Sequence, residues 1–466
     1  MHLAANWIRA LPQRFGKPTL VALALIAVLG LGVRAYAVAN PVANPADDSH
    51  AYYALAKALY EEGSFGGPEF RDSSDWSPGA PLLYAAGFYA TGGAREGTAR
   101  IVEALLGVAA ILVVFALGRR LGDAASAGTG RRLGSAVGLL AAFAVAVYPP
   151  FIHSTGELMS EPPTILTLPA AVLAFLWASE PGRSRWAWLL PGLLFGLTAM
   201  FRPEYLFVGG AFVVLAGLWP ILARGPSAGW RPGLGGASLL LLALLLPILP
   251  WTIRNVDVLG RVVPISTGSG KALYVGTYLP ADGEYQRVKA LLYERYEHKS
   301  LPPDSEALNE VDPGPLFDRV AARYPDLPRD SALGKVGKQN LSKYFDEDPL
   351  GYLGMTARKV GRMWSSGVGE AMSSGVGRAV QILLVALGLA GFFVLGRSRR
   401  WWDLVALATP IALVTLIGAA SLAAPRRNEV LMTLVFPLVA LALSSGVAAI
   451  SSGREWSPEQ ASSPPN

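Results

Sequence analysis

Apolar runs of about 15 to 22 residues punctuate the chain, the length a helix needs to cross a bilayer core of about 30 Å. Ten are read as spans: 19–38, 98–117, 134–148, 164–178, 186–201, 205–222, 235–251, 377–395, 404–420 and 430–450. Backbone polar groups in lipid must be satisfied within the segment, so these spans are expected to be helical. Of the 466 residues 52% are apolar and only 16% charged, whereas a soluble domain carries about 25% charged residues. A soluble enzyme and a disordered scaffold are both excluded. The expected fold class is an all-α polytopic membrane protein of about ten transmembrane helices with a small mixed extracytoplasmic domain.

Basic residues set the orientation. With the N-terminus inside, the cytoplasmic segments hold fifteen Lys and Arg, from Arg9, Arg14 and Lys17 to Arg454, against five acids. The first outer loop reverses this, with two basic residues against seven acids over 39–78. This is the positive-inside pattern of a multi-pass protein of the plasma (inner) membrane, and it assigns the net charge of +6 to lipid contact rather than to nucleic acid. The basic start and the triplet Ala35-Tyr36-Ala37 are compatible with a cleavable signal, and a retained first helix gives the same orientation.

Four segments are expected: a transmembrane module over 1–251 that includes the outer loop 39–97, an extracytoplasmic domain over 252–376, C-terminal spans over 377–450, and a disordered cytoplasmic tail over 451–466. Segment 79–91 is apolar but too short to span, and reads as an interfacial or re-entrant helix.

With no cysteine, thiolate nucleophiles, disulfides and Cys-based zinc sites are excluded, and His2, His50, His153 and His298 lie far apart. The chemistry must come from carboxylates and cations near the outer edge. Asp47-Asp48, before Tyr52 in a helix-forming stretch that ends at Gly63, fits either a helix N-terminus or a general base with a helper or metal-ligating neighbour. Glu157 and Glu161 would share a face if their segment were helical. Arg202 and Glu204 read as an ion pair or as a cation for an anionic substrate. Arg254 follows Pro250-Trp251, and Lys271 ends a Gly/Ser/Thr run that lacks P-loop spacing but suits some other phosphate.

In this order the segments resemble membrane glycosyltransferases of the GT-C fold, in the branch of the protein O-mannosyltransferases and the aminoarabinose transferases that modify lipid A. The resemblance runs through Asp47, Asp48 and Tyr52, Pro78 to Leu82, Met159-Ser160-Glu161, Arg202-Pro203 and Pro250 to Asn255, over about residues 20–280. Pro425-Arg426-Arg427 resembles a late Arg-Tyr motif, with Arg427-Asn428 in its place. Many relatives carry a Lys or Arg beside the Pro-rich element, where this chain has Trp76-Ser77. The phosphate contact therefore passes to Arg71, Arg202, Arg254 or Lys271.

The resemblance implies inverting transfer of a sugar from a polyprenyl-phosphate donor to a hydroxyl on protein, glycan or lipid, at the extracytoplasmic face. Asp47 would be the base and Asp48 its helper. Tyr52, Glu161, Arg202, Arg254, Lys271 and Arg427 would bind substrate, and a divalent cation (Mg or Mn) would have Asp48 as first candidate ligand. The rivals are a polyprenyl-linked sugar transporter or flippase, and a non-catalytic subunit of an envelope assembly. Nearly charge-free spans and acids gathered on one face favour the enzyme.

Overall fold

The computed structural model of the chain describes residues 16–42, 47–66, 74–127, 132–224, 231–302, 305, 307–308 and 311–454. Arg71 and tail residues 455–466 lie outside this set, as does the side chain of Asp47.

Among the described residues the regular structure is helical throughout. The N-terminal half contains α1 (Lys17–Ala39), α2 (Asp47–Glu62), α3 (Gly79–Thr91), α4 (Glu96–Ser126), α5 (Gly134–Val147), α6 (Pro149–Glu157), α7 (Glu161–Ala178), α8 (Leu189–Phe201), α9 (Tyr205–Arg224), α10 (Arg231–Leu245) and α11 (Ile248–Leu259). The polar region follows as α12 (Ser269–Thr277), α13 (Tyr285–Glu297), α14 (Gly314–Ala321), α15 (Arg329–Glu347), α16 (Pro349–Ser365) and α17 (Glu370–Ser373). The chain closes with α18 (Gly375–Arg397), α19 (Trp401–Ala420) and α20 (Pro425–Arg454).

Each of the ten expected spans is a helix or a helix pair. Among the described residues seven helices (α1, α4, α7, α9, α18, α19, α20) are long and apolar enough to cross a membrane, and the number is nine if each of two bent pairs is one span. The tenth, Arg185–Phe201, is a shorter apolar helix that opens with a 3₁₀ turn. The bends are 45° between α5 and α6 and 47° between Gly233–Leu245 and α11, and they follow from proline. Pro149 cannot donate a helix bond, and Tyr148 before it is extended (φ −67°, ψ 118°).

The broken end of α5 leaves carbonyls without amide donors. Arg34, fully buried on α1, donates to the carbonyls of Val145 (3.1 Å) and Ala146 (3.3 Å), and to Gly30 O (3.1 Å). Gly107 makes room for it: a Cβ there would sit 2.1 Å from Arg34 Nε. This cation inside a span was not among the candidate residues, and its partners are backbone carbonyls, two of them at the end of α5, rather than an acid.

Helices α4 and α5 approach through small residues, since a Cβ on Gly122 would lie 2.8 Å from Gly134 Cα. Helix α3 starts against the end of α8, where a Cβ on Gly79 would meet Met200 O at 2.7 Å. That contact gives the Pro78-Gly79 element a packing reason. Rings of Tyr53 and Tyr60 meet Phe88 edge-on at 6.1 and 6.2 Å and join α2 to α3.

Residues 252–376, expected as a small mixed domain, are helical wherever regular structure is described. Their own core includes Tyr274, Val288, Phe317, Leu333 and Val336. Lys359 ties this region to the spans, donating to Gly276 O (2.8 Å), Ala419 O (2.9 Å) and Ser421 O (2.8 Å). It thereby covers the C-terminal ends of α12 and α19, the step before α20 begins.

Candidate active site

The acidic and basic residues singled out in the sequence meet at helix ends. Helix α2 begins at Asp47, so Asp48 lies in its first turn rather than preceding it. Asp48 accepts from Trp76 Nε1 (3.3 Å) through Oδ1 and from Arg426 Nη1 (3.0 Å) through Oδ2. Arg426, in the first turn of α20, also donates through Nε to Glu161 Oε1 (2.8 Å). Arg202 donates through Nη1 to the same Glu161 oxygen (2.6 Å) and through Nε to Glu204 Oε1 (3.1 Å). Asp48, Arg426, Glu161, Arg202 and Glu204 thus form one run of alternating charge drawn from four distant parts of the chain.

Burial grades this run. Glu161 is 1% exposed, Arg202 12% and Glu204 14%, whereas Arg426 is 30% and Asp48 39% exposed. A buried carboxylate is stable only when paired and hydrogen-bonded, and Glu161 has two guanidinium partners. Burial would push the Glu204 carboxyl up, but Arg202 and Arg427 outweigh it and hold the group below the usual carboxylate range. Burial works against the Arg202 cation, yet Glu204 and Glu161 keep it firmly charged. Tyr52 is buried beside Ser160, and burial followed by the charges of Asp48 and Glu161 pushes its phenol up, so it stays neutral.

The remaining expected residues lie elsewhere. Arg254 donates to Ser74 Oγ (3.0 Å), Asn255 Oδ1 (3.1 Å) and Phe65 O (2.7 Å), pinning residues 65 and 74 to α11. Lys271 places its Nζ 5.9 Å from the Tyr285 ring centre, within the polar region. The helix end beside it is already taken, because Asp330 accepts from the amides of Gly270 (3.1 Å) and Lys271 (2.9 Å). Arg427 is half-buried near Glu204 and Tyr205, and its Nη1 has no hydrogen-bond partner among the described residues.

Glu157 and Glu161 do not share a helix face. Leu158 adopts a left-handed conformation (φ 56°) between α6 and α7, and Glu157 turns to His153 at 3.5 Å. Arg426 and Trp76 were not among the expected site residues. The only signal for Arg426 was the late Pro425-Arg426-Arg427 motif, where adjacent residues point about 100° apart on a helix and sequence cannot say which faces inward.

A divalent cation at Asp48 does not fit the described side chains. Both Asp48 oxygens and both Glu161 oxygens have N–H or O–H donors, Arg426 and Ser160 reaching Glu161 Oε2 at 3.4 Å. Among the described residues no group of three His, Asp or Glu could hold a metal ion. Arg426 occupies the position between two carboxylates that a bridging cation would need.

Residues 75–251 match the family described as dolichyl-phosphate-mannose-protein mannosyltransferase. No curated protein matches the chain by sequence. The fold is similar to that of the Archaeoglobus fulgidus oligosaccharyltransferase in its apo form, with TM-score 0.56, 16% identity, and coverage of 94% of this chain and 51% of that one. It is also similar to the same organism's oligosaccharyltransferase AglB in complex with an inhibitory peptide and a dolichol-phosphate, with TM-score 0.52, 16% identity, and coverage of 97% and 52%. The chain therefore spans about half the length of these archaeal enzymes. ArnT from Cupriavidus metallidurans bound to undecaprenyl phosphate overlaps at TM-score 0.40, with 14% identity and coverage of 90% and 76%. The chain is a multi-span membrane protein with the fold of the GT-C glycosyltransferases, and over residues 75–251 it matches their mannosyltransferase family.

Proposed function

We propose that the protein is an inverting glycosyltransferase that moves a sugar from a polyprenyl-phosphate donor to a hydroxyl acceptor at the extracytoplasmic face. The observation that carries this is the guanidinium of Arg426 spanning Asp48 and Glu161 at the start of α20, beside the first turn of α2. A lipid-linked donor cannot leave the bilayer, so its phosphate and sugar must be met where the spans end. Asp48 and Arg426 are the most exposed members of the run, so a donor phosphate would meet them before the buried members.

The chemistry is a single displacement. Asp47 accepts the proton of the acceptor hydroxyl as its oxygen bonds to the anomeric carbon. The bond from that carbon to the phosphate oxygen breaks on the opposite face, and its electron pair leaves with the polyprenyl phosphate. General-base assistance of this kind is worth about 10²–10⁴ in rate. Arg426 meets the charge that develops on the leaving phosphate, with Arg202 behind it holding Glu161. Asp48 and Trp76 fix the position of Arg426 and of the turn that carries Asp47.

Support for the donor class comes from the mannosyltransferase family match and from a neighbour of the same fold recorded with dolichol-phosphate. The positive-inside pattern supports the orientation.

The test is transfer from a panel of radiolabelled polyprenyl-phosphate sugars to membrane extract, comparing wild type with Asp47→Asn and Arg426→Met. Transfer by the wild type that collapses in both variants is expected. Equal transfer by wild type and Asp47→Asn removes Asp47 as the base. No transfer from any donor by a protein that still binds donor favours the carrier or accessory reading.

A further inference from the structure

A second polar cluster lies behind the charged run. Glu103 in α4 and Tyr84 in α3 are both fully buried. The Tyr84 hydroxyl bonds to Glu103 Oε1 and reaches Met159 O at 2.9 Å, while Met159 N donates to the same Glu103 oxygen at 2.8 Å. Both polar groups of one backbone residue are thus held by two side chains from different helices. Residue 159 needs such holding because Leu158 before it is left-handed (φ 56°, ψ 67°), a costly conformation for a residue with a Cβ that persists only where its surroundings fix it. The next two residues are Ser160, whose hydroxyl donates to Glu161 Oε2 at 3.4 Å, and Glu161, the centre of the charged run.

The ionisation state of Glu103 follows from its partners. It makes no ion pair among the described residues, and its Oε2 is buried without a hydrogen-bond partner. Arg100, the cation on its own helix, is turned to Glu96 Oε2 (2.7 Å) and Gly156 O (3.2 Å). An ionised carboxylate would leave a charged oxygen in an apolar site with no donor, whereas a carboxylic acid would not.

We propose that Glu103 is a neutral carboxylic acid and that, with Tyr84, it is a positioning residue. The pair clamps the Leu158–Met159 turn and thereby sets where Glu161 holds Arg202 and Arg426. The role in transfer rests on the glycosyltransferase reading; the protonation state does not.

The test uses full-length purified protein with Glu103→Gln, Glu103→Leu and Tyr84→Phe. In the infrared difference spectrum of wild type minus Glu103→Gln at neutral pH, the carbonyl stretch of a protonated carboxyl is expected, and its absence overturns the proposal. Glutamine keeps the shape and the neutral charge, so Glu103→Gln should transfer within about threefold of wild type. Tyr84→Phe and Glu103→Leu should lose about tenfold or more, because the site shifts while its own residues remain. A folded Glu103→Gln as impaired as Glu103→Leu, or full activity in Tyr84→Phe, overturns the proposal. If no variant transfers, thermal unfolding decides: Glu103→Gln should melt within about 2 °C of wild type and Tyr84→Phe well below it. Equal melting of those two overturns the clamp.

Discussion

Arg202 and Arg426 look interchangeable, since each lies between two carboxylates in the run Asp48, Arg426, Glu161, Arg202, Glu204. Their burial makes them unequal. Arg202→Met removes the 2.6 Å bond to Glu161 and strands Glu204, which is 14% exposed. Losing one charge-assisted bond costs about 1.5–3 kcal/mol, and breaking a buried pair so that one partner is stranded costs about 3–5 kcal/mol. Arg427 still acts on Glu204 at longer range, so the loss should be about 4 kcal/mol rather than the sum. Arg426→Met leaves Glu161 with its bond to Arg202, and Asp48, at 39% exposed, regains water. A half-exposed pair contributes about 0–1 kcal/mol and the second bond to Glu161 about 1.5 kcal/mol, so about 2 kcal/mol is expected. Reversible unfolding in mixed micelles of denaturing and mild detergent reads both values. Activity should rank the other way, with Arg426→Met the better folded and the less active protein. Equal stability losses, or a larger loss for Arg426→Met, would show that exposure does not govern this run and would falsify the argument.

Three further outcomes follow from the geometry. Gly276→Ala places a Cβ 2.1 Å from the Ser421 backbone, so it should destabilise by about 2 kcal/mol and lower transfer by shifting the step into α20; unfolding midpoints and a transfer assay check both. Burial would push the Asp282 carboxyl up, but its hydrogen bonds and charge pairs with Arg358 and Arg362 hold it below 3.8, the ordinary value. Its stabilising contribution is therefore complete above that ordinary value and lost as pH falls through the lowered one, so the gap in unfolding midpoint between wild type and Asp282→Asn should be constant from pH 7 to about 5 and close below about pH 4. Because the carboxylates of Asp48 and Glu161 already have guanidinium donors, EDTA should leave transfer unchanged, and activity restored by Mn after chelation would refute that reading.

Sequence carried the spans because their signal is local: an apolar run of sufficient length reports burial in lipid without reference to any partner. It also carried Asp48, Tyr52, Glu161 and Arg202 into one neighbourhood, since each lay at an end of a segment expected on the same side. It did not carry pairing. Asp330 takes the amides at the start of α12 from 59 residues away, and that contact left Lys271 looking like part of a free phosphate site. The left-handed turn at Leu158 was illegible because leucine carries no preference for it, and the Tyr84 and Glu103 side chains that hold Met159 come from two other helices. Arg34 was illegible for the same reason, its partners being backbone carbonyls 111 and 112 residues on.

One regularity in the site is both local and physical. Three of its charged residues stand beside a proline at a helix end: Glu161 before Pro162, Arg202 before Pro203 and Arg426 after Pro425. Trp76 lies two residues before Pro78. Proline keeps the preceding residue out of the helical region and is favoured at the first helical position, so each of these prolines fixes where a helix stops or starts. Arg202 shows the effect directly, lying extended (φ −140°, ψ 107°) between α8 and α9. A charge within a helix of this bundle costs several kcal/mol unless polar partners meet it, as the carbonyls of Val145 and Ala146 meet Arg34. At a proline break it points into the gap between helix ends, where other such charges gather. The prolines therefore act as placement signals for the ionic run, and the charged residues beside them are the ones whose roles a sequence of this kind can be asked to reveal.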